Sequence, residues 1–107
     1  MGSRVSRGLA AATLLLAAAS AAAAPVARTE RLAAACNGCH GPDGGGSGAI
    51  PALAGQDAAV LAERLNGWRD AEPIGSDHVM ARFARGLDDR DVDALADHYA
   101  ALTAPDT

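Results

Sequence analysis

Lysine is absent from this sequence, and all nine of its basic residues are arginines. Aromatics are almost as scarce: Trp68, Phe83 and Tyr99 are the only three in 107 residues. Cysteine occurs twice, at Cys36 and Cys39, so at most one disulfide could form and a disulfide-built scaffold is excluded. A net charge of −4, with charged residues at 21%, argues against a nucleic-acid binder and against full disorder. No strand pattern of useful length and no internal repeat is present, which leaves helices and loops. Hydrophobic residues make up 50% of the chain, but alanine supplies much of that share. A chain this short sits near the limit where apolar burial alone holds a fold. With so little bulk in its own side chains, something else must fill its middle.

The first segment carries a different message. Arg4 and Arg7 precede an apolar run from Gly8 through Ala24, and small residues, Ala21 to Ala24, close it. A positive start, an apolar centre and an A-x-A zone are the parts of a secretory signal peptide, expected here over residues 1–23. Cleavage is expected after Ala22 or Ala23, because Pro25 is a poor residue directly after a cut. The two arginines are not adjacent, which argues against a twin-arginine signal. The competing reading is an uncleaved anchor, but the run is short and mostly Ala, hence weakly lipophilic. Export places the mature domain, 24–107, in the periplasm with no membrane span of its own. Without Arg4 and Arg7, seven arginines face thirteen acidic residues, a net −6. Met80 is then the only methionine left.

Along the mature chain, Thr29 is placed to N-cap a helix running through Leu32 to about Asn37. Gly41 to Gly48, with Pro42, Asp43 and Ser47, reads as a loop, and Ile50 to Leu53 as a short extended piece. A helix is expected from about Gln56 to Asn66, with Ala58, Leu61, Leu65 and Trp68 on one stripe and Gly67 as its stop. Residues 69–78 read as a loop. One or two helical turns over Met80 to Arg85 are expected to end at Gly86. Asp88 is placed to cap the last helix, with Asp89, Asp91 and Asp93 near its positive end. Leu87 and Val92 are placed as a hydrophobic staple. Val92, Leu95, Ala96, Tyr99 and Leu102 form its apolar face. The domain is expected to be all-α with long loops.

Cys36-Asn37-Gly38-Cys39-His40 is C-x-x-C-H, the attachment sequence for c-type haem. Two cysteines three apart on a helical turn point to the same side. Both sulfurs can therefore bond to the two vinyl groups along one edge of a porphyrin, and His40 then falls under the iron. A disulfide between Cys36 and Cys39 would close a very small, strained loop. A thioredoxin-like pair expects a βαβ context, and a zinc site would need a fourth ligand, for which His78 or His98 could serve, but neither lies in a zinc-like pair. On the other side of the iron, Met80 is the expected ligand. A thioether there stabilises ferrous iron and raises the potential, which suits an electron carrier. Val79 and Phe83 flank it and can wall the ring. Core packing is the plainer role of a methionine, and His78 and His98 are its rivals as ligands, both read as solvent-facing. An open sixth position would instead make a ligand-binding or peroxidase-type haem protein.

Cys36 to Gly44, Ile50-Pro51-Ala52-Leu53-Ala54-Gly55-Gln56, Val79-Met80-Ala81-Arg82 and Gly86-Leu87 together resemble a class I cytochrome c. The stretch is most similar to the small cytochrome subunit of flavocytochrome c sulfide dehydrogenase and to the cytochrome c4 group, over about Thr29 to Leu102. Many of those relatives carry two haem domains, whereas this chain has one motif. The resemblance implies three to five short helices wrapped around one covalent haem, with the first and last helices crossing and Leu32 meeting Leu95 and Tyr99. It implies that the Pro51 carbonyl accepts a hydrogen bond from His40. It offers Trp68 as a donor to a haem propionate, plain core being the equal alternative. Arg69 and Arg82 are offered as propionate partners against a reading as surface arginines. The function it implies is one-electron transfer rather than catalysis, with a sulfide-oxidising flavoprotein as a candidate donor. The acidic balance points to partners with a basic patch.

Overall fold

In the computed structural model, residues 23–72 and 79–106 are described. The expected signal segment, apart from Ala23, lies outside them, as does His78. The first helix, α1, covers residues 23–40. It is longer than the Thr29-capped helix read from the sequence. Thr29 does not cap: its hydroxyl donates to the Pro25 carbonyl one turn back, at 3.0 Å, a bond that a helix-interior threonine makes. Alanine-rich sequence on both sides of Thr29 favours continuing the helix. Pro25 is tolerated near the start of the described helix, where its missing N–H costs little.

After α1 the chain turns through a short 3₁₀ segment, Pro42–Gly44, and a tight Ser47–Ile50 bridge. The Leu53 and Ala54 amides both donate to the Gly44 carbonyl, at 2.7 and 3.1 Å. Gly44 has φ +66°, and a Cβ there would lie 2.5 Å from the Tyr99 ring. Only glycine lets the loop pass this close to the last helix.

Helix α2 runs Ala58–Asp70, and the Asp57 carboxylate accepts from the amides of Ala59 and Val60. It therefore begins a little later than expected and continues one turn past Gly67. Gly67 has no positive φ, and nothing lies within 4 Å of a Cβ placed on it. A glycine without a left-handed turn does not terminate a helix; it only weakens one, by about 1 kcal/mol relative to alanine. The actual end is Ala71, which leaves the helix in extended geometry. Trp68 and Arg69 thus belong to the helix rather than to a stop and a loop.

Helix α3 is the six-residue Val79–Ala84. Helix α4, Asp89–Ala100, has the best-defined start. Asp88 accepts from the Asp91 amide at 2.8 Å, and Asp91 accepts from the Asp88 amide at 3.0 Å, a reciprocal capping box. Leu87 and Val92, the two staple positions, are both buried in the core. That core consists of Ala33, Leu61, Leu87, Val92, Leu95, Ala96 and Tyr99, with Leu32, Leu53 and Leu65 packed against it. Leu32 of α1 thus reaches the cluster that holds Leu95 and Tyr99. Leu95 and Val92 are its largest fully buried side chains, each contributing about 1.5–3 kcal/mol of transfer free energy.

Candidate haem site

The C-x-x-C-H motif forms the last turn of α1. Both cysteines are free thiols; Cys36 is half-buried and Cys39 exposed. Burial pushes the Cys36 thiol above its ordinary pKa, since a thiolate there would be poorly solvated. His40 is buried, and its Nδ1 lies 2.7 Å from the Pro51 carbonyl oxygen. A carbonyl can only accept, so Nδ1 carries the proton and donates it, and Nε2 is left as a bare lone pair. No described residue bonds Nε2. The His40 carbonyl accepts from the Gly46 amide at 2.6 Å, so the glycine-rich loop is tied to the histidine it follows.

Tyr99 joins the motif to the last helix. Its hydroxyl donates to the Ala33 carbonyl at 3.0 Å and to the Asn37 side-chain oxygen at 2.7 Å, one proton shared between two acceptors. Asn37 is the first variable residue of C-x-x-C-H, so α4 holds the turn directly. Burial, first of all, raises the Tyr99 pKa, and the phenol stays protonated across the physiological range. At the other end of the same two helices, Arg28 forms a bidentate pair with buried Asp91, both bonds 2.8 Å. The Arg28 bond, more than any other contact, lowers the Asp91 pKa to about 2. Sequence reading missed both contacts. Arg28 and Asp91 are 63 positions apart, and neither residue type announces a partner at that range.

The remaining candidates are more scattered. Met80 is half-buried on α3, which packs against α2. Val79 and Phe83 beside it are 62% and 45% exposed. Trp68 is half-buried near the end of α2, and its indole N–H has no partner among the described residues. Arg69 donates to Asp89 at 2.7 Å and to Asn66 at 3.2 Å, an ion pair across to the start of α4. His98 lies edge-on to Tyr99, with ring centroids 4.9 Å apart. It is half-buried rather than solvent-facing, in a shallow groove with Pro25, Val26, Thr29 and Glu30. Glu30 and His40 are separated by about 15 Å of helix rise, so His98 belongs to the opposite end of α1 from the motif.

Two adjacent free thiols, a buried imidazole with one nitrogen bare, and exposed Ile50, Val79 and Phe83 are a donor set and an apolar surface of the kind a covalent haem requires. The chain matches the family described as Cytochrome c over residues 26–102. It belongs to the cytochrome c family. Its cofactor is therefore haem c, attached through C-x-x-C-H, and its role is electron transfer between redox proteins rather than catalysis of its own.

The chain is similar to the "Thiosulfate dehydrogenase electron acceptor" of Stutzerimonas stutzeri, 39% identical over 80 residues, covering 73% of this chain and 37% of that protein. It is similar to the "Cytochrome subunit of sulfide dehydrogenase" of Chlorobaculum tepidum, 33% identical over 107 residues, covering 89% of this chain and 96% of that protein. It is also similar to "Cytochrome c4" of Stutzerimonas stutzeri, at 35% over 72 residues, 64% of this chain and 34% of that one. The chain thus spans about a third of the length of two of these cytochromes and nearly all of the third. No described helix is long and apolar enough to cross a membrane.

Proposed function

We propose that this cytochrome is a periplasmic one-electron carrier, with Cys36 and Cys39 as the thioether attachments and His40 and Met80 as the axial iron ligands. The observation that carries the reading is His40. It is buried beside both thiols, donates Nδ1–H to Pro51, and keeps Nε2 unpartnered. That bond fixes the ring plane and the tautomer, and makes the free nitrogen a better donor. Bound haem supplies an iron that alternates between the ferrous and ferric states. The chain's own work is to orient His40, supply a second soft ligand from α3, and exclude water from the ring. Trp68, with its unpartnered N–H, is offered as a donor to a propionate.

Redox partners with a basic patch suit the surface. Asp93 and Asp97 are exposed on α4, and acidic residues outnumber arginines along the mature chain. Encounter rates should then fall as salt rises. The relatives' names, a sulfide dehydrogenase cytochrome subunit and a thiosulfate dehydrogenase acceptor, support a sulfur-oxidising dehydrogenase as donor; that it is a flavoprotein is what the family resemblance implies. Co-purification of a flavoprotein would favour that donor, and a partnerless monomer would count against it. Export by a cleaved signal over 1–23 completes the reading and is checked by the N-terminal sequence of the mature protein.

The deciding test concerns the sixth ligand. The oxidised protein should show the weak near-infrared band of methionine-to-ferric-haem charge transfer. Met80→Ala should remove that band and let carbon monoxide bind. Rapid carbon monoxide binding by the unaltered protein at neutral pH would overturn the carrier reading in favour of a ligand-binding or peroxidase-type protein.

A further inference from the structure

Helix α3 buries only small side chains of its own. Six residues are too few for a helix to be stable alone in water. Its buried side chains are Ala81 and Ala84, both 0% exposed, and a methyl group buries far less apolar area than a leucine does. Val79 and Phe83 are largely exposed. One polar contact stands out against this background. The Arg85 guanidinium, directly after α3, donates to the Ala71 carbonyl at 3.1 Å, across 14 positions. Ala71 is the C-cap of α2, and carbonyls at a helix C-terminus lack intrahelical partners and carry the negative end of the dipole. A cation suits that place. The bond therefore caps α2 and ties the end of α3 to it.

We infer that Arg85 is a positioning residue for Met80: by fastening α3 to the end of α2 it keeps the thioether on the iron against competing ligands. The inference rests on Met80 being an axial ligand. Met80 lies little more than one helical turn before Arg85, so a tilt of α3 about its loosened end moves the sulfur. Loss of the tie raises the fraction of molecules with the sixth position open, and an external ligand then binds with correspondingly higher apparent affinity. The contact is solvent-exposed, so the effect is modest.

The test uses oxidised, haem-loaded protein and titrates it with imidazole while following the near-infrared methionine band. Arg85→Ala should bind imidazole roughly three- to fivefold more tightly than the unaltered protein. Arg85→Lys, which keeps one charged donor, should lie close to the unaltered protein. Arg90→Ala removes an exposed arginine that caps no α2 carbonyl, and should leave the affinity unchanged. If Arg85→Ala fails to load haem, Arg85→Gln against Arg85→Lys makes the same comparison, with Gln expected to be the weaker holder of Met80. Equal imidazole affinity across these variants, or an equal shift in Arg90→Ala, overturns the inference while leaving Met80 ligation intact. Absence of the near-infrared band in the unaltered protein overturns the ligation itself, and the inference with it.

Discussion

The two sides of this cytochrome are built to different standards. On one side, α1 and α4 are joined by a bidentate Arg28–Asp91 pair, a shared core with buried Leu95 and Val92, and a tyrosine bonded into the C-x-x-C-H turn. On the other, α3 with Met80 buries only two alanine side chains, and Arg85 just after it bonds the Ala71 carbonyl at the surface. The first side carries the C-x-x-C-H motif with His40. The second carries the weaker of the two proposed iron ligands. Long-range polar contacts and large buried side chains thus gather beside the attachment motif, and small buried side chains beside Met80.

The largest effect should come from removing what both sides enclose. Changing Cys36 and Cys39 together to Ala prevents covalent attachment, and the resulting chain should lose most of its helical circular dichroism. A cooperative, well-folded apo form would show that the side chains alone suffice, and the contrast between the two sides would lose its meaning.

The next effect isolates the strong side. The Asp91 pKa is lowered to about 2, chiefly by Arg28, from an ordinary 3.8. A group depressed in the folded state adds stability at pH above its unfolded value and loses it as pH falls through the folded value. The pair should therefore contribute fully above about pH 4, and its share should disappear between there and about pH 2. Asp91→Asn should cost about 1–2 kcal/mol at neutral pH through the lost pair and weakened capping. It should also flatten that part of the acid-unfolding profile. An unchanged profile would mean that other carboxylates set it.

Tyr99→Phe keeps the ring on Gly44 and removes only the hydroxyl. It should cost about 1 kcal/mol, read as a lower thermal midpoint, with the near-infrared band preserved. Loss of the band would show that the two sides are more tightly coupled than their contacts indicate. The smallest change lies on the weak side: Gly67→Ala, with open space at the new methyl, should stabilise by up to about 1 kcal/mol. A destabilised protein would mean that something packs against that face of α2 in the haem-loaded state.

What the sequence discloses divides along the same line. The Asp88 cap, the Leu87 and Val92 staple positions and the apolar face of α4 from Val92 to Tyr99 are local patterns, and each appears in the structure at the expected residues. The length of α1 was missed because Thr29, a plausible cap by composition, bonds backwards instead. The end of α2 was missed because a glycine signals a stop only where its backbone turns left-handed, and Gly67 does not. Arg28–Asp91, Arg69–Asp89 and Arg85–Ala71 were invisible because they depend on which surfaces meet after folding. The Pro51 carbonyl could be named beforehand only through family resemblance, since no side-chain chemistry marks a backbone oxygen.

The partner chosen for His40 has a consequence for how its ring is held. A carboxylate in that place could take up a proton when the charge beneath it changes. The Pro51 carbonyl cannot bind one at any pH at which the protein is folded. Nδ1–H of His40 is held against that carbonyl, so the ring is tied to the backbone and not to an ionisable side chain. The bond that orients the ring is therefore a neutral one, and its strength does not depend on the ionisation of a side-chain acceptor.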